Sequence, residues 1–155
     1  MKLYVLRHGK SPQMEEAGVA SDEDRPLADE GREAVRKMAA FLKDSGGKPT
    51  RILASPLVRA RDTALEAAKV LKGPQPEETK LLANVLPAPD LFKGLAPLIA
   101  REAEAMVVGH QPQLGDLVAY LSGEARDLKP GGCVALELTP ERVKILWAKN
   151  PKDLE

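Results

Sequence analysis

The chain has 155 residues, which is enough for one domain with a substantial hydrophobic core. Lys plus Arg and Asp plus Glu each total 23, so the net charge is zero, which argues against a protein that holds nucleic acid by broad phosphate neutralisation. The one cysteine, Cys133, excludes an intramolecular disulfide and favours a reducing compartment. No apolar run approaches the length of a membrane span or of a signal peptide, so we expect a cytoplasmic protein without membrane contact.

The first predicted strand leads directly into reactive side chains. Residues 2–6 are mostly apolar, with β-branched and aromatic members, which is typical of a short buried strand. Arg7, His8 and Gly9 follow without a spacer. Because ligands of open α/β sheets bind beyond the carboxyl ends of strands, this Arg-His-Gly is well placed to hold an anion and attack it.

A polar loop and an amphipathic helix come next. Residues 11–26 predict an irregular loop. We interpret its acidic part, residues 15–24, as a solvated loop rather than a docking site, although it lies near enough to the predicted pocket to affect the choice of partner. A helix is predicted from Asp29 to Lys43, with Asp29 as the N-cap.

The middle of the chain predicts two more strands. Residues 51–54 form a strand, after which Ser55 should cap a second helix that has Pro56 at its first position and Arg59 in its first turn. A third, edge-like strand is predicted around residues 80–82.

The second half predicts further alternation of helices and strands. Its elements are a helix over 91–102 with Pro97 as an interruption, a strand over 104–109, a helix from Pro112 to Ser122, and strands over 133–138 and 143–148. The whole pattern predicts an α/β fold: a single domain over residues 1–155, built as a three-layer α/β/α sandwich around a mostly parallel sheet.

Side chains suited to binding a phosphate group follow three of these strands. Arg7 and His8 follow the first, Ser55 and Arg59 the second, and His110 the strand over 104–109. Guanidinium groups bind phosphate oxygens in pairs, helix N-termini favour anions, and a neutral imidazole is a competent nucleophile. Together these residues predict a phosphate pocket that contains a histidine.

Four motifs, in this order and spacing, resemble the histidine phosphatase superfamily, also called phosphoglycerate mutase-like, over almost the whole chain. The motifs are Leu6-Arg7-His8-Gly9, Arg25-Pro26-Leu27 with Gly31, Ser55-Pro56-Leu57-Val58-Arg59-Ala60 with Thr63, and Val108-Gly109-His110-Gln111-Pro112. Within the superfamily the chain is most similar to the small SixA-type phosphohistidine phosphatases.

The resemblance implies roles for the matching residues. His8 would be the nucleophile, phosphorylated through Nε2 while a backbone carbonyl holds Nδ1. The groups that would bind phosphate or stabilise its transfer are Arg7, Gly9, Arg25, Ser55, Arg59 and His110. No metal and no cofactor is implied, because the cations are built into the chain.

The chain departs from the family pattern at three positions. Lys10 stands where Glu or Asp is common, and Ala28 stands where a threonine is often found. Asn84 is the nearest match to the carboxylic acid with which phosphomonoesterases of this superfamily protonate a leaving alcohol. Asp90 is the nearest carboxylate in sequence that could substitute for it.

The missing acid favours phosphohistidine as substrate, because a protonated imidazole leaves readily whereas an alkoxide does not. The short connection between Leu82 and Met106 also predicts an open site, accessible to a phosphohistidine on a protein such as a histidine phosphotransfer domain. We expect a monomer. Two alternatives stay open: a small-molecule phosphomonoesterase with Asp90 or another carboxylate as acid, and a non-catalytic phosphate-binding module.

Overall fold

The structure, a computed structural model, describes residues 1–155 and is built on one six-stranded sheet. The strands are β1 (Lys2–Arg7), β2 (Arg51–Ala54), β3 (Glu77–Glu78), β4 (Glu104–Gly109), β5 (Cys133–Leu138) and β6 (Val143–Lys149). The α-helices are α1 (Met14–Ala17), α2 (Asp29–Asp44), α3 (Val58–Leu71), α4 (Ala88–Ile99) and α5 (Gln113–Ser122). Three short 3₁₀ helices cover Asp22–Asp24, Lys80–Leu82 and Pro151–Leu154.

The strand order is β3-β2-β4-β1-β5-β6. The four strands from β3 to β1 are parallel, and β5 and β6 continue the sheet in antiparallel pairing. The sequence-based prediction of a mostly parallel α/β fold is therefore confirmed. Strand β1 lies inside the sheet, with β4 on one side and β5 on the other.

Helices cover both faces of the sheet because apolar residues point alternately to either side of the strands. On β1, Leu3 and Val5 pack with residues of α4 and α5, whereas Tyr4 and Leu6 pack with residues of α2 and α3. Each face carries a separate cluster of buried apolar side chains. The result is the predicted three-layer arrangement, with Cys133 fully buried in β5.

Two predicted helix caps were wrong. Helix α2 begins at Asp29, as predicted, but its N-cap is Ala28, which makes no side-chain hydrogen bond. Helix α3 begins at Val58 and not at Pro56, because the Ser55 hydroxyl accepts the N–H of Leu57 at 3.2 Å and forms a separate turn first.

Three other boundaries also differ from the predictions. Residues 80–82 form a 3₁₀ helix, and the edge strand is the shorter Glu77–Glu78. Helix α4 starts three residues before the predicted Leu91 and contains Pro97 in its last turns without ending there. The loop over 11–26 contains the short helix α1 and one 3₁₀ turn. None of the helices has the length and apolar character that a membrane crossing requires.

Candidate active site

The register of the sheet places the carboxyl ends of β1, β2 and β4 side by side. Arg7 is paired with Gly109, and Ala54 with Val108. The pairing continues just past the strands, where the N–H of His8 donates to Gly109 O at 2.9 Å and the N–H of Ser55 donates to Val108 O at 3.0 Å. The residues that follow β1, β2 and β4 therefore meet at the carboxyl edge of the sheet, as predicted.

A cavity of about 580 Å³ opens at this edge. The predicted site residues that line it are Arg7, His8, Arg25, Arg59 and His110. Lys10, Asp22, Asn84 and Gln111 also contribute to its wall. The structure thus brings together the two histidines and the three arginines of the sequence motifs.

His8 is held as a neutral and oriented ring. Its Nδ1 lies 2.7 Å from the carbonyl oxygen of Gly9, so we assign the proton to Nδ1, from which it is donated, and Nε2 has no partner within the protein. Burial lowers the pKa of His8 to about 4, and the neighbouring charges of Arg59 and Arg7 act in the same direction. At neutral pH the ring therefore has a free lone pair on Nε2.

His110 is buried beside His8, with the two ring centroids 5.1 Å apart. Its Nε2 lies 2.7 Å from the Ser55 hydroxyl. Burial lowers the pKa of His110 to about 3, and the proximity of His8 contributes. Both rings are thus uncharged at neutral pH, so they lie close together without repulsion between like charges.

Two buried nitrogens at the site have no hydrogen-bond partner within the protein, namely Arg7 Nε and His110 Nδ1. Buried polar atoms are usually satisfied, so unpartnered ones are often sites where a ligand binds. Arg7 is otherwise fixed by a bond from Nη1 to Leu128 O at 2.9 Å. Burial lowers the pKa of Arg7, as expected for a partly desolvated cation.

Asp22 bridges the other two arginines. Arg59 donates from Nη2 to Asp22 Oδ2 at 3.1 Å and from Nη1 to the Asp22 backbone oxygen at 2.9 Å. Arg25 donates from Nη1 to Asp22 Oδ1 at 3.0 Å. Hydrogen bonds from Arg25, together with the charge of Arg59, lower the pKa of Asp22. Asp22 is exposed, as expected for this acidic loop, but it also lines the cavity and joins two of its arginines.

Arg25 also fastens the loop itself. Its Nε donates to Pro12 O at 2.8 Å and its Nη2 to Ser11 O at 3.2 Å. All three of its nitrogens are therefore engaged with the loop over 11–26, although the side chain lines the cavity. In this geometry Arg25 shapes the cavity wall at least as much as it offers donors to a ligand.

Gly9 and Ser55, predicted as phosphate-binding residues, do not line the cavity. The Gly9 N–H donates to Thr63 Oγ1 at 3.0 Å, and the hydroxyl of Ser55 lies against His110. Thr63 in turn donates to Arg59 O at 2.8 Å. These three residues form a supporting layer behind the two histidines and Arg59.

The positions that depart from the family pattern are also explained by their contacts. Asn84 donates from Nδ2 to Gln111 O at 3.0 Å and accepts the N–H of Gln113 at 3.1 Å, so its side chain braces the turn after His110. Asp90 is exposed in the first turn of α4 and does not line the cavity. Lys10 forms an exposed ion pair with Glu30 at 2.8 Å.

No three His, Cys, Asp or Glu side chains are arranged to hold a metal ion. The donor set of the cavity consists mainly of guanidinium and imidazole groups, which suit an oxyanion. Metal independence of the reaction stays a prediction.

Comparison with known proteins identifies the family to which the chain belongs. The family model of the histidine phosphatase superfamily (branch 1) matches residues 3–85. The chain belongs to the histidine phosphatase superfamily, and its class of activity is accordingly that of a phosphatase, a hydrolase.

Similar proteins show which type of histidine phosphatase the chain resembles. The phosphohistidine phosphatase SixA of Escherichia coli K12 is 33% identical over 125 residues, covering 78% of this chain and 74% of the relative. A solved structure of the protein histidine phosphatase SixA complexed with tungstate matches with a TM-score of 0.90 and 28% identity, covering 100% of both chains. An uncharacterized protein of Picosynechococcus is 35% identical, covering 93% of this chain and 89% of the relative. The chain is thus of the SixA type, with the phosphoglycerate mutase-like fold.

Proposed function

We propose that the protein is a phosphohistidine phosphatase that works through a phospho-His8 intermediate. The observation that carries this proposal is the orientation of His8. A backbone carbonyl holds its Nδ1–H, which leaves Nε2 as the free nitrogen of a ring that lines a cavity rich in cations. Its pKa, lowered by burial, keeps that nitrogen unprotonated and nucleophilic at neutral pH.

In the proposed first step, His8 Nε2 attacks phosphorus in line and the substrate imidazole departs. Arg7 Nε and His110 Nδ1, the two buried nitrogens without partners, and the guanidinium of Arg59 stabilise the charge on the phosphoryl oxygens. Water then hydrolyses phospho-His8 in a second step, with the same groups stabilising the transferring phosphoryl group.

The choice of phosphohistidine rests on the absence of a suitable acid. The Asn84 amide is occupied on both sides by backbone groups, and Asp90 lies outside the cavity. Asp22 lines the cavity, but Arg25 and Arg59 lower its pKa and keep it ionised at neutral pH, so it has no proton to give. A leaving alkoxide would need a proton from such a group, whereas a protonated imidazole leaves as a neutral ring. The similarity to SixA of E. coli supports the same substrate class, and the tungstate in the solved SixA structure is a tetrahedral oxyanion like phosphate.

The rival function is a small-molecule phosphomonoesterase. It is favoured by the size of the cavity, which falls within the range usual for small ligands. In that case Asp90, or another carboxylate, would have to reach the leaving oxygen. The variant Asp90→Asn is therefore the matched control for the choice of substrate.

The test uses a ³²P-phosphorylated histidine phosphotransfer domain beside sugar phosphates and nucleotides. We expect the wild type to release phosphate from the phosphohistidine protein and to give an acid-labile phosphoenzyme on rapid quenching. His8→Ala should lose both the label and at least about 10³-fold in kcat/KM, while Asp90→Asn keeps both. Equal rates for wild type and His8→Ala would end the nucleophile assignment. A preference for esters that Asp90→Asn abolishes would favour the rival, and phosphate binding without any turnover would favour a binding module.

A further inference from the structure

Asp22 is the only carboxylate among the fourteen residues that line the cavity. It is brought there by the 3₁₀ turn over Asp22–Asp24, in which Ser21 accepts the N–H of Glu23 at 3.3 Å. Arg59 of α3 ties the loop to the body of the protein at this residue, and Arg25 holds the same carboxylate from within the loop. Asp22 is therefore a fixed part of the cavity wall.

The carboxylate of Asp22 keeps spare acceptor capacity. Oδ1 accepts from Arg25 and Oδ2 accepts from Arg59, one bond each, although a carboxylate has about four lone-pair sites. The side chain is also 56% exposed, in contrast to 11% for Arg59. A group that enters the cavity from solvent can therefore reach Asp22 while its two arginine contacts persist.

The substrate of the proposed reaction carries a hydrogen-bond donor that could reach the Asp22 carboxylate. As the bond from His8 Nε2 to phosphorus forms, the bond from phosphorus to the substrate ring nitrogen breaks and its electron pair stays on that nitrogen. If the opposite ring nitrogen carries a proton, the group leaves as neutral imidazole and no further proton is needed. The protonated ring presents an N–H with positive charge, which is a strong donor to a carboxylate.

We propose that Asp22 is a specificity-determining residue whose carboxylate accepts a hydrogen bond from the protonated imidazole of the phosphohistidine substrate. This inference rests on the proposed function and adds a means of selecting a cationic leaving group. The carboxylate lies against Arg59, one of the groups assigned to the phosphoryl oxygens, and it lines the cavity that the leaving ring must enter.

The charge balance of the cavity supports this role. Arg25 and Arg59 face Asp22 directly, and Arg7 and Lys10 line the same cavity. His110 is also near, because the charge of Asp22 partly opposes the lowering of the His110 pKa by burial. The two contacting arginines lower the pKa of Asp22, so the group stays ionised at neutral pH. An ionised carboxylate stabilises an imidazolium but cannot protonate an alkoxide.

The test compares Asp22→Asn with wild type on a phosphohistidine peptide and on 4-nitrophenyl phosphate, whose phenolate leaves without a proton. Asp24→Asn is the matched control, because Asp24 is exposed on the same turn and forms an ion pair with neither arginine.

We expect Asp22→Asn to lose about tenfold in kcat/KM for the peptide at about pH 6, where the substrate ring is protonated. The difference should shrink above about pH 8, where the ring is neutral. Any loss on 4-nitrophenyl phosphate, which reflects only the altered contact with Arg59, should be clearly smaller, so that the ratio of the two kcat/KM values falls severalfold. Asp22→Glu should keep part of the preference for the peptide.

Three results would overturn the role of Asp22 alone: an equal loss on both substrates, a gain on both because the carboxylate only competes with phosphate for Arg59, or no change on either. In each of these cases trapping of phospho-His8 in the wild type would leave the proposed function standing. Absence of both peptide hydrolysis and phosphoenzyme in the wild type would overturn the proposed function itself and the role of Asp22 with it.

Discussion

The contacts of Ser55 favour one tautomer of His110. Its hydroxyl oxygen already accepts the N–H of Leu57, and the only acceptor within reach of the hydroxyl hydrogen is His110 Nε2 at 2.7 Å. We therefore assign the neutral ring as the tautomer protonated at Nδ1, the nitrogen that has no partner within the protein. This tautomer presents an N–H donor to a phosphoryl oxygen.

Ser55→Ala should remove this control of the tautomer. We expect kcat to fall about tenfold, because part of the His110 population would then carry its proton on Nε2. Ser45→Ala, at the end of α2, is the control on an exposed serine. ¹⁵N NMR of the imidazole gives the direct readout, and a wild-type signal for protonated Nε2 would contradict the assignment.

At the same scale, the sequence predicted the histidines and arginines that line the cavity, but not the carboxylate that joins two of those arginines. The two histidines and Arg59 stand out because each follows a strand end in a motif of unusual composition. Asp22 lies in an acidic stretch that resembles any solvated loop, and only folding shows that it meets Arg25 and Arg59. Its position depends on contacts 37 residues apart, which no local pattern encodes.

Among the elements, helix α2 supports the turn over His8–Lys10 that follows β1. Its first turn packs against the backbone that follows His8, and the N–H of Ala28 donates to Lys10 O at 2.9 Å. Gly31 lies at this contact, where an added Cβ would stand 2.3 Å from Lys10 O and 2.9 Å from Lys10 N. The glycine is required by close approach of two backbones.

Gly31→Ala should consequently destabilise the protein although alanine favours helix formation. We expect a loss of about 1–3 kcal/mol in the free energy of unfolding, since the obstructing atoms belong to backbone, together with reduced turnover. Gly94→Ala in α4 is the matched control, because its Cβ would meet only the side chain of Leu81. Urea unfolding of the two variants tests this, and equal stabilities would refute the close-approach argument.

Elements whose boundaries depend on tertiary contacts were predicted least well. Lys80–Leu82 has the apolar content of a strand, but Thr79 accepts the N–H of Leu81 and starts a 3₁₀ turn that buries Leu82 completely. The long strands and the amphipathic helix α2 were predicted within one or two residues, because their hydrophobic periodicity alone specifies them.

For the molecule as a whole, the buried histidines link stability to pH. The folded-state pKa values of His8 and His110, lowered by burial to about 4 and about 3, lie below the unfolded value of about 6.5. Between these limits the unfolded state binds more protons, so the free energy of unfolding must fall as the pH falls below about 6.5.

We expect the protein to be less stable at pH 5 than at pH 7.5, with His110 contributing on the order of 2 kcal/mol and the less buried His8 a smaller amount. Urea titrations at the two pH values provide the measurement. His110→Gln should flatten the dependence, and Lys37→Gln on the exposed face of α2 should leave it unchanged. A stability that is equal at both pH values would show that the histidines are not buried as neutral rings.

The interior position of β1 also has a consequence for biosynthesis. This strand is translated first, yet its hydrogen-bonding neighbours are β4 and β5, which begin at Glu104 and Cys133. Helices α2 and α3 are translated in time to cover Tyr4 and Leu6, but both edges of β1 must await the second half of the chain. A nascent chain thus carries His8 long before it has a pocket around it, and the cavity can form only after the residues of β5 have been translated.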